Sequence, residues 1–331
     1  MRFKLKSLVL GLLLAGGFAG AASAATSLDL SQYVVTGNYA LDLQTGPGGS
    51  ISGLEASAVT FASDRGSLFF VGDEGTGVIE VSLTGQTLGS MAFDWTGTGS
   101  TKHDTEALTY LGGGVLVVGE ERLVDAYRFS FVNGGTAALA NSGVSISNAV
   151  VGNSGMEGIS YDARNGGGFV SIKQEAPQDI LAGMLTFAAG VSGTSTMANL
   201  FDPALMGLAT LSDVQVLSGV TSLAGTAGAD NLLVFSLGSQ RLVEVTRTGQ
   251  VLSSFDFSTV SPNNAIEGVT VDQNGVIYLV AEQVQNGASL DPNSRLFVLS
   301  PVPEAESRVM LLAGLGALGF VARRRRSDQG R

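Results

Sequence analysis

Apolar residues between positions 33 and 300 come in short runs rich in Val, Ile, Leu and Phe, without the three- and four-residue spacing of an amphipathic helix. Turn residues that tolerate positive φ separate the runs, for example Asp64-Arg65-Gly66, Arg164-Asn165-Gly166 and Gln273-Asn274-Gly275. This pattern predicts an all-β chain of hairpins. One stretch, Asn199 to Ala209, is an exception that leaves room for a short helix.

One pattern recurs along the chain: an acid or serine, then Ala or Gly, an apolar residue and usually Ser or Thr, followed by a turn and a second apolar strand. The spacings of its five copies are 49, 51, 61 and 49 residues, and the copies begin at Ser57, Glu106, Glu157, Ser218 and Glu267. Such spacing, with room for four strands per copy, predicts a five-bladed β-propeller with four-stranded antiparallel blades; six blades are the alternative. Tyr33 to Leu43 precede the first copy, and we expect them to supply the outer strand of the last blade and close the ring.

The first 24 residues have the form of a secretory signal peptide. Arg2, Lys4 and Lys6 precede the apolar run Leu8 to Ala19, and Ala22-Ser23-Ala24 has the small residues of a cleavage site. The alternative is a membrane anchor, for which the run is short. The prediction is a signal peptide over residues 1–24, removed by signal peptidase, and a propeller domain over residues 25–301.

Residues 302–331 contain a different signal. Val302-Pro303-Glu304 is followed by the apolar stretch Val309 to Ala322 and by the cluster Arg323 to Arg326. This order resembles the PEP-CTERM sorting signal of Gram-negative bacteria, although Ala305 stands where that motif usually has its second Pro. The resemblance implies transient membrane anchoring through the apolar helix and removal of the tail by an exosortase. An ordinary C-terminal anchor has the same topology and is the alternative.

The net charge of the predicted propeller domain limits the kinds of partner that it can bind. Residues 25–303 contain 9 Lys and Arg and 26 Asp and Glu, a formal charge of about −17. Such a surface repels nucleic acid and favours cations or basic partners. The chain has no cysteine, which excludes disulfides and thiolate metal sites.

The repeat also predicts a carboxylate cluster. Because the first two strands of a blade are antiparallel, the start of one and the end of the other lie at the same rim of the channel. The first strands contribute Glu106, Glu157 and Glu267, with Ser57 and Ser218 at the matching positions. The second strands contribute Asp73, Glu74, Glu120, Glu121, Glu175 and Glu282. Carboxylates held this close favour a bound cation, and hard oxygen ligands favour Ca²⁺. The alternative is that the glutamates accept backbone N–H bonds from neighbouring blades and hold the ring together.

Several blocks resemble the SdiA-regulated family, relatives of NHL-repeat propellers. They are Asp104-Thr105-Glu106 with Glu121-Arg122, Met156-Glu157-Gly158, and Ile266-Glu267-Gly268 with Glu282. The resemblance implies a five-bladed propeller with a calcium site and no established enzymatic activity. Phe235-Ser236-Leu237-Gly238 departs from it, because the acids expected at the end of that strand are missing.

Enzymatic chemistry has little support in the sequence. His103 is the only histidine, and nucleophile elbows, zinc-protease motifs and phosphate loops are absent from the sequence. The Glu-Gly-apolar pattern also resembles esterase-like propellers related to phytases, which leaves a calcium-dependent esterase or phosphatase as the alternative function. Trp95 is interpreted as a lid, a carbohydrate platform or a partly buried loop aromatic.

The two terminal signals and the acidic domain together predict an exported protein of the cell envelope, outer surface or extracellular matrix. Its expected partners beyond the processing enzymes are extracellular polysaccharide or an envelope protein. Its expected ligand is a Ca²⁺-type cation at the acidic channel mouth.

Overall fold

The computed structural model describes residues 26–302, except 42–43, 47–48, 54, 148–150, 175–176, 261–264, 283, 286–287 and 290–292. The predicted signal peptide and the apolar and arginine-rich tail lie outside the described residues. Within the described part, the fold consists of β-strands and short 3-10 helices. No helix in that part has the length and apolarity needed to cross a membrane.

The chain enters the fold through one strand and a small hairpin, and then builds two blades. Ahead of the blades lie the 3-10 helix Leu30–Gln32, β1 (Tyr33–Ala40), β2 (Gln44–Gly46) and β3 (Gly49–Ile51). Blade 1 contains, from its first strand outward, β4 (Ala56–Ala62), β5 (Ser67–Gly72), β6 (Gly77–Val81) and β7 (Thr87–Asp94). Blade 2 contains β8 (Thr105–Gly112), β9 (Val115–Glu120), β10 (Asp125–Ser130) and, after an excursion, β12 (Gly143–Ser145). The excursion is β11 (Thr136–Ala138), which pairs in parallel with β7 of blade 1 and extends that sheet to five strands.

Three further blades complete the ring. Blade 3 contains β13 (Met156–Asp162), β14 (Gly168–Lys173), β15 (Asp179–Gly183) and β18 (Ala198–Asn199), with the hairpin β16 (Leu185–Thr186) and β17 (Thr194–Ser195) inserted. Blade 4 contains β19 (Asp213–Val216), β20 (Leu232–Ser236), β21 (Arg241–Val245) and β22 (Val251–Asp256). Blade 5 contains β23 (Ile266–Val271), β24 (Ile277–Ala281) and β27 (Arg295–Pro301), with the hairpin β25 (Val284–Gln285) and β26 (Ala288–Ser289) inserted. The remaining 3-10 helices are Leu139–Asn141, Arg164–Gly166, Ala189–Val191, Pro203–Met206, Thr221–Leu223 and Ala227–Asp230.

The ring closes as predicted. Strand β1 pairs antiparallel with β27, from Tyr33 opposite Pro301 to Ala40 opposite Arg295. The first strand of each blade packs against the first strands of its neighbours, which places these five strands around a central channel. The prediction of a five-bladed all-β propeller closed by an N-terminal strand is confirmed.

The hydrophobic core is divided among the blades. The buried apolar side chains form five clusters in the described part of the chain, and each cluster lies between two neighbouring blades. Between blades 1 and 2, for example, Phe69 packs with Leu116 and Tyr127. Each blade therefore depends on both neighbours to bury its two faces.

The prediction that the fourth copy of the repeat begins at Ser218 is wrong. Residues 218–222 lie in a turn and a 3-10 helix, whereas the first strand of blade 4 is β19. The copy that matches the other four is therefore Ser212-Asp213-Val214-Gln215-Val216, and the spacings become 49, 51, 55 and 55. The pattern was missed because Asp213 stands where the other copies have Ala or Gly, and Gln215 stands where they have Ser or Thr.

Those Ser and Thr side chains link the blades around the channel. In four contacts the backbone N–H of the next blade donates to the hydroxyl: Tyr110 to Thr60, Tyr161 to Thr109, Val216 to Ser160 and Phe61 to Thr270, at 2.9–3.1 Å. In the fifth contact Thr270 Oγ1 donates to Gln215 Oε1 at 3.0 Å. In blade 4 the longer side chain of Gln215 thus makes the contact with the next blade that a Ser or Thr hydroxyl makes in the other blades. The five bonds hold the first strands in register from blade to blade.

Candidate functional site

One end of the channel is shaped by a β-bulge that recurs at the start of the first strand. In blades 1, 2, 3 and 5 the pairing with the second strand skips a single residue, and the skipped residues are Ser57, Glu106, Glu157 and Glu267. A bulge re-aims the side chain it contains. The repeated motif therefore places its acid or serine at the same point of each of these blades.

The residue directly after the second strand provides the next set of acids. Asp73, Glu121 and Glu282 occupy this position in blades 1, 2 and 5, while blade 3 has Gln174 and blade 4 has Leu237. Their backbones are tied to the next blade, since the carbonyls of Asp73, Glu121 and Gln174 accept N–H bonds from Thr105, Met156 and Leu211 at 3.2–3.3 Å. The sequence departure noted at Leu237 therefore removes the acid of blade 4 from this rim.

A third position supplies two acids that were not among the predicted metal ligands. Glu55 and Asp104 lie two residues before the bulges at Ser57 and Glu106. One carboxylate oxygen each from Asp73, Asp104 and Glu106 lie within 4.8 Å of one another. The same holds for Glu55, Asp73 and Glu74, so Asp73 belongs to both groups. The shared offset from the bulge is the sequence signal that identifies Glu55 and Asp104.

Asp73 has the most informative environment. Its Oδ1 atom is buried and has no hydrogen-bond partner among the described residues. A buried polar atom without a partner is costly, and native structures rarely contain one. An ion between the carboxylates would remove that cost.

The carboxyl groups also contact one another. The side chains of Glu121 and Glu157 lie close enough to share a proton, as do those of Glu267 and Glu282 and those of Asp73 and Glu55. Two carboxyl groups hydrogen bond only when a proton lies between them, so this proximity favours a shared proton when no cation is present. All three pairs join residues from different positions of the repeat.

Burial and mutual repulsion raise the pKa values of the cluster. Burial, with the hydrogen bond and charge of Glu55, raises the pKa of Asp73 to about 8. Burial is also the main cause that raises the pKa of Glu121 and of Glu282 to about 7. Burial, followed by repulsion from the other axial carboxylates, raises the pKa values of Glu106 and Glu157 well above the ordinary range; for Glu267 the repulsion comes first from Glu282. The repulsion among Glu106, Glu157 and Glu267 agrees with their equivalent positions at the bulges of blades 2, 3 and 5.

A single guanidinium is paired with the cluster in the described part of the chain. Arg122 Nε lies 2.7 Å from Asp104 Oδ2, and Arg122 also donates to Asn153 Oδ1. The carboxyl groups of the cluster thus outnumber the cationic side chains paired with them by a large margin. The cluster consists of Glu55, Asp73, Asp104, Glu106, Glu121, Glu157, Glu267 and Glu282.

Other predicted residues have different surroundings. Glu120 is 1% exposed, and its two carboxylate oxygens accept from the Ser100 hydroxyl and the Leu123 amide, both at 2.7 Å. Glu74 is exposed at the edge of the cluster. Glu175 lies outside the described residues. Ser57 lies at the bulge and its hydroxyl donates to the carbonyl of Glu55. Ser218 does not lie at the start of a first strand, so the prediction that it matches Ser57 is wrong.

A loop beside the cluster contains both Trp95 and His103. Trp95 is 8% exposed, donates from Nε1 to the Gly75 carbonyl at 2.7 Å and stacks on the His103 ring with 5.1 Å between centroids. Trp95 is thus a buried support of the loop, and of its three interpretations the buried aromatic fits. Next to it, a cavity of about 1010 Å³ opens at the surface.

The fold and this rim define the protein as a five-bladed β-propeller with a carboxylate cluster at one mouth of its channel. Residues 32–284 match the model of the SdiA-regulated family, and the chain belongs to that family. Residues 301–326 match the PEP-CTERM protein-sorting motif, which directs a protein to export. Both resemblances predicted from the sequence are confirmed.

Two solved structures are similar to this chain at low identity. The glutaminyl cyclase of Myxococcus xanthus is 13% identical, with a TM-score of 0.48, and the match covers 81% of this chain and 95% of that one. A luciferin-regenerating enzyme is 12% identical, with a TM-score of 0.43 and coverage of 82% and 96%.

Proposed function

We propose that the exported propeller binds a Ca²⁺-type cation in its carboxylate cluster, and that the bound cation forms part of a site for an extracellular ligand. The cation would lie at Asp73, with Asp104 and Glu106 on one side and Glu55 and Glu74 on the other. Glu121, Glu157, Glu267 and Glu282 would contribute negative charge, and any of them that loses its shared proton would become a further ligand.

The observation that carries this proposal is the buried Oδ1 atom of Asp73. The alternative role for acids at this rim, acceptance of backbone N–H bonds from neighbouring blades, fits Glu121, whose Oε1 accepts the amide of Gly155, directly before β13 of blade 3, at 3.2 Å, but it leaves the Asp73 atom without a donor. A structural role would satisfy the oxygen with a backbone amide, whereas a ligand role requires it to remain open to an ion.

The chemistry of the donors favours calcium. All of the groups are carboxylates, which suit hard cations, and the described cluster has no histidine or cysteine to favour zinc or copper. Eight closely spaced acids exceed what Mg²⁺ normally uses, because Mg²⁺ keeps several waters and takes one or two carboxylates.

Substitution of Asp73 tests the proposal. Asp73→Asn keeps the size of the side chain and removes its charge, so we expect calcium affinity, measured by isothermal titration calorimetry on chelator-treated protein, to fall by about tenfold or more, about 1.4 kcal/mol. The matched control is Asp272→Asn, since Asp272 is also buried but accepts the Asn274 and Val276 amides in the β23–β24 turn, at the opposite end of these strands. Equal calcium binding by the wild type and Asp73→Asn, or no binding by the wild type, would refute the site.

The enzyme alternative is tested on the same preparation. A calcium-dependent esterase or phosphatase would turn over phosphate and carboxylate esters and would stop when calcium is chelated. Calcium binding without turnover supports the binding role. Chelator-sensitive turnover would replace it with the enzymatic one.

The sorting motif suggests where this binding takes place. Processing by an exosortase would release the propeller from its C-terminal tail outside the inner membrane, where calcium is available and polymers of the cell surface are the accessible partners. We therefore propose extracellular polysaccharide, or an envelope protein, as the class of partner.

A further inference from the structure

A cleft adjoins the carboxylate cluster on the outer side of Asp73. It has a volume of about 1010 Å³ and lies between the Glu74–Thr76 turn of blade 1 and the loop from Phe93 to His103. This volume is of the size that binds small organic ligands and is far larger than a metal ion needs.

The loop that forms the cleft is held in place by several contacts. Ser100 Oγ donates to buried Glu120 at 2.7 Å and accepts the His103 amide at 3.0 Å. A Cβ on Gly75 would lie 1.9 Å from the His103 carbonyl oxygen, so the turn and the loop pack directly against each other. Together with the Trp95 bond to Gly75, these contacts give a cleft that exists before any ligand binds.

Glu74 connects the cleft to the proposed cation. Its side chain lines the cleft, and one of its carboxylate oxygens lies within 4.8 Å of oxygens of Glu55 and Asp73. Glu74 is exposed, so a cation held by these three residues has an open side toward the cleft. Calcium accepts six to eight oxygen ligands, and three carboxylates leave positions for oxygens of a ligand.

The lining selects against charged ligands. Glu74 and Asp94 are its exposed acids, and no Lys or Arg occurs among the described residues that line it, so an anion would be repelled. An organic cation would compete with calcium for Glu74. An organic cation would also find no open face of Trp95 for a cation–π contact. His103 stacks on one face of Trp95, and the rings of Phe93 and Tyr127 pack against Trp95 in T-shaped contacts.

The remaining groups suit a neutral polyol. Thr76, Thr96 and Thr101 supply hydroxyls, and the Asp94 carboxylate accepts hydrogen bonds. The imidazole of His103, supported from behind by Trp95, supplies an apolar ring surface. Sugars match both features, because their hydroxyls hydrogen bond to the polar groups and their C–H faces pack against an aromatic ring.

We propose that this cleft binds a neutral saccharide whose hydroxyls complete the coordination of the cation held by Glu55, Asp73 and Glu74. The inference rests on the proposed calcium function and names the ligand class of that site. It assigns His103, Glu74 and Asp94 to saccharide recognition.

The test is saccharide binding by calcium-loaded protein, measured by saturation-transfer NMR and calorimetry with maltohexaose and cellohexaose as neutral probes. We expect binding in the millimolar range or tighter that is lost on chelation and falls by about tenfold in Glu74→Gln. Oligogalacturonate, an acidic probe, and chitosan oligomers, a cationic probe, should bind at least about tenfold more weakly.

A second variant separates this inference from the calcium site. Asn tolerates the positive φ of 62° at His103, so His103→Asn should keep the loop, bind calcium like the wild type and lose saccharide binding. Asp256→Asn, an exposed acid on β22 of blade 4, is the control and should change neither. If calcium binds but neither neutral probe does, or if His103→Asn binds them as well as the wild type, the saccharide inference is wrong while the calcium proposal stands. If calcium does not bind, both fail.

Discussion

At the scale of single residues, two glycines show how closely the first strands approach one another. A Cβ on Gly158 would lie 2.9 Å from both Asp213 Cα and Val214 N of the next blade. A Cβ on Gly268 would lie 2.9 Å from Ala58 Cα and Val59 N. These neighbours are backbone atoms, which do not move aside as a flexible side chain does. In blades 3 and 5, packing therefore requires the glycine that follows the acid of the repeat.

We expect Gly158→Ala to destabilise the fold by about 1–3 kcal/mol, because the added methyl overpacks the contact between blades. Gly219→Ala is a matched control, since a Cβ there would meet nothing within 4 Å and should change stability by less than about 0.5 kcal/mol. Urea unfolding of the two variants provides the measurement. Equal losses in the two variants would contradict the packing requirement at Gly158.

The site was only partly predictable at this scale. Glu106, Glu157 and Glu267 stood out because the motif repeats them, and Asp73, Glu121 and Glu282 because they end an apolar strand. Glu55 and Asp104 belong to two blades only, and their shared offset of two residues from the bulge can be recognised once the structure has located the bulges. Glu120 and Glu121 are adjacent acids that the sequence pattern does not distinguish. The structure shows that Glu120 accepts a hydrogen bond from Ser100 of the neighbouring loop and does not join the cluster.

At the scale of elements, the segment from Thr26 to Gln32 fastens blade 4 to the closing strand. Fully buried Glu244 of β21 accepts from Ser27 Oγ at 2.7 Å and from the Leu28 amide at 2.9 Å, as well as from Asn231 at 2.7 Å. Leu30 is completely buried among residues of blades 4 and 5. Without this segment Glu244 would lose two donors while remaining largely enclosed.

We expect Ser27→Ala to lower the free energy of unfolding by about 1 kcal/mol, and Glu244→Gln to lower it by about 1–3 kcal/mol, since the amide would face donors with its own NH₂ group. Thermal unfolding and limited proteolysis of the N-terminus report the effect. Ser31→Ala is the control, because within the described residues the Ser31 hydroxyl bonds the exposed side chains of Asp29 and Gln32 and no buried group. A loss at Ser31 as large as that at Ser27 would contradict the fastening role of Glu244.

Hairpins were the most predictable elements, because each combines an apolar run with a turn that requires positive φ, as at Gly66 and Gly275. Strands that depend on distant partners were not. Strand β11 is three residues long and pairs with blade 1 although it lies within blade 2, which no local pattern indicates. The first strand of blade 4 escaped detection because Gln215 makes the same link between blades with a different side chain.

At the scale of the whole molecule, the ring gathers acids from four of its five blades into one buried mouth. The hydrogen bonds and apolar clusters between blades hold these groups together against their repulsion. Protons or a cation must offset that repulsion, and the two compete for the same oxygens. The stability of the propeller should therefore depend on pH and calcium jointly.

The sign of this dependence follows from the pKa values. In the fold the pKa of Asp73 is raised from 3.8 to about 8, and those of Glu121 and Glu282 are raised from 4.5 to about 7. A group whose pKa is raised on folding stabilises the fold fully below its unfolded value, and this contribution is lost as pH rises through the folded value. Glu80 and Asp162 have lowered pKa values and change their contribution only at more acid pH. Burial also raises the pKa values of Asp125 and Asp213, which lie outside the cluster, so it is the part of the pH dependence that calcium reverses that reports the cluster.

Without calcium we thus expect the melting temperature to fall between pH 5 and pH 8, by about 2–4 °C for each kcal/mol that the cluster loses. Excess calcium should reverse the fall, because it binds the deprotonated carboxylates, and at 100 times its dissociation constant it adds about 2.7 kcal/mol. The calcium-induced rise in melting temperature should accordingly be small at pH 5 and large at pH 8. Asp73→Asn should show a smaller loss at pH 8 without calcium and a smaller gain with it, whereas Asp272→Asn should follow the wild type. A calcium effect that is equal at pH 5 and pH 8 would separate the ion from these carboxylates and contradict the proposed site.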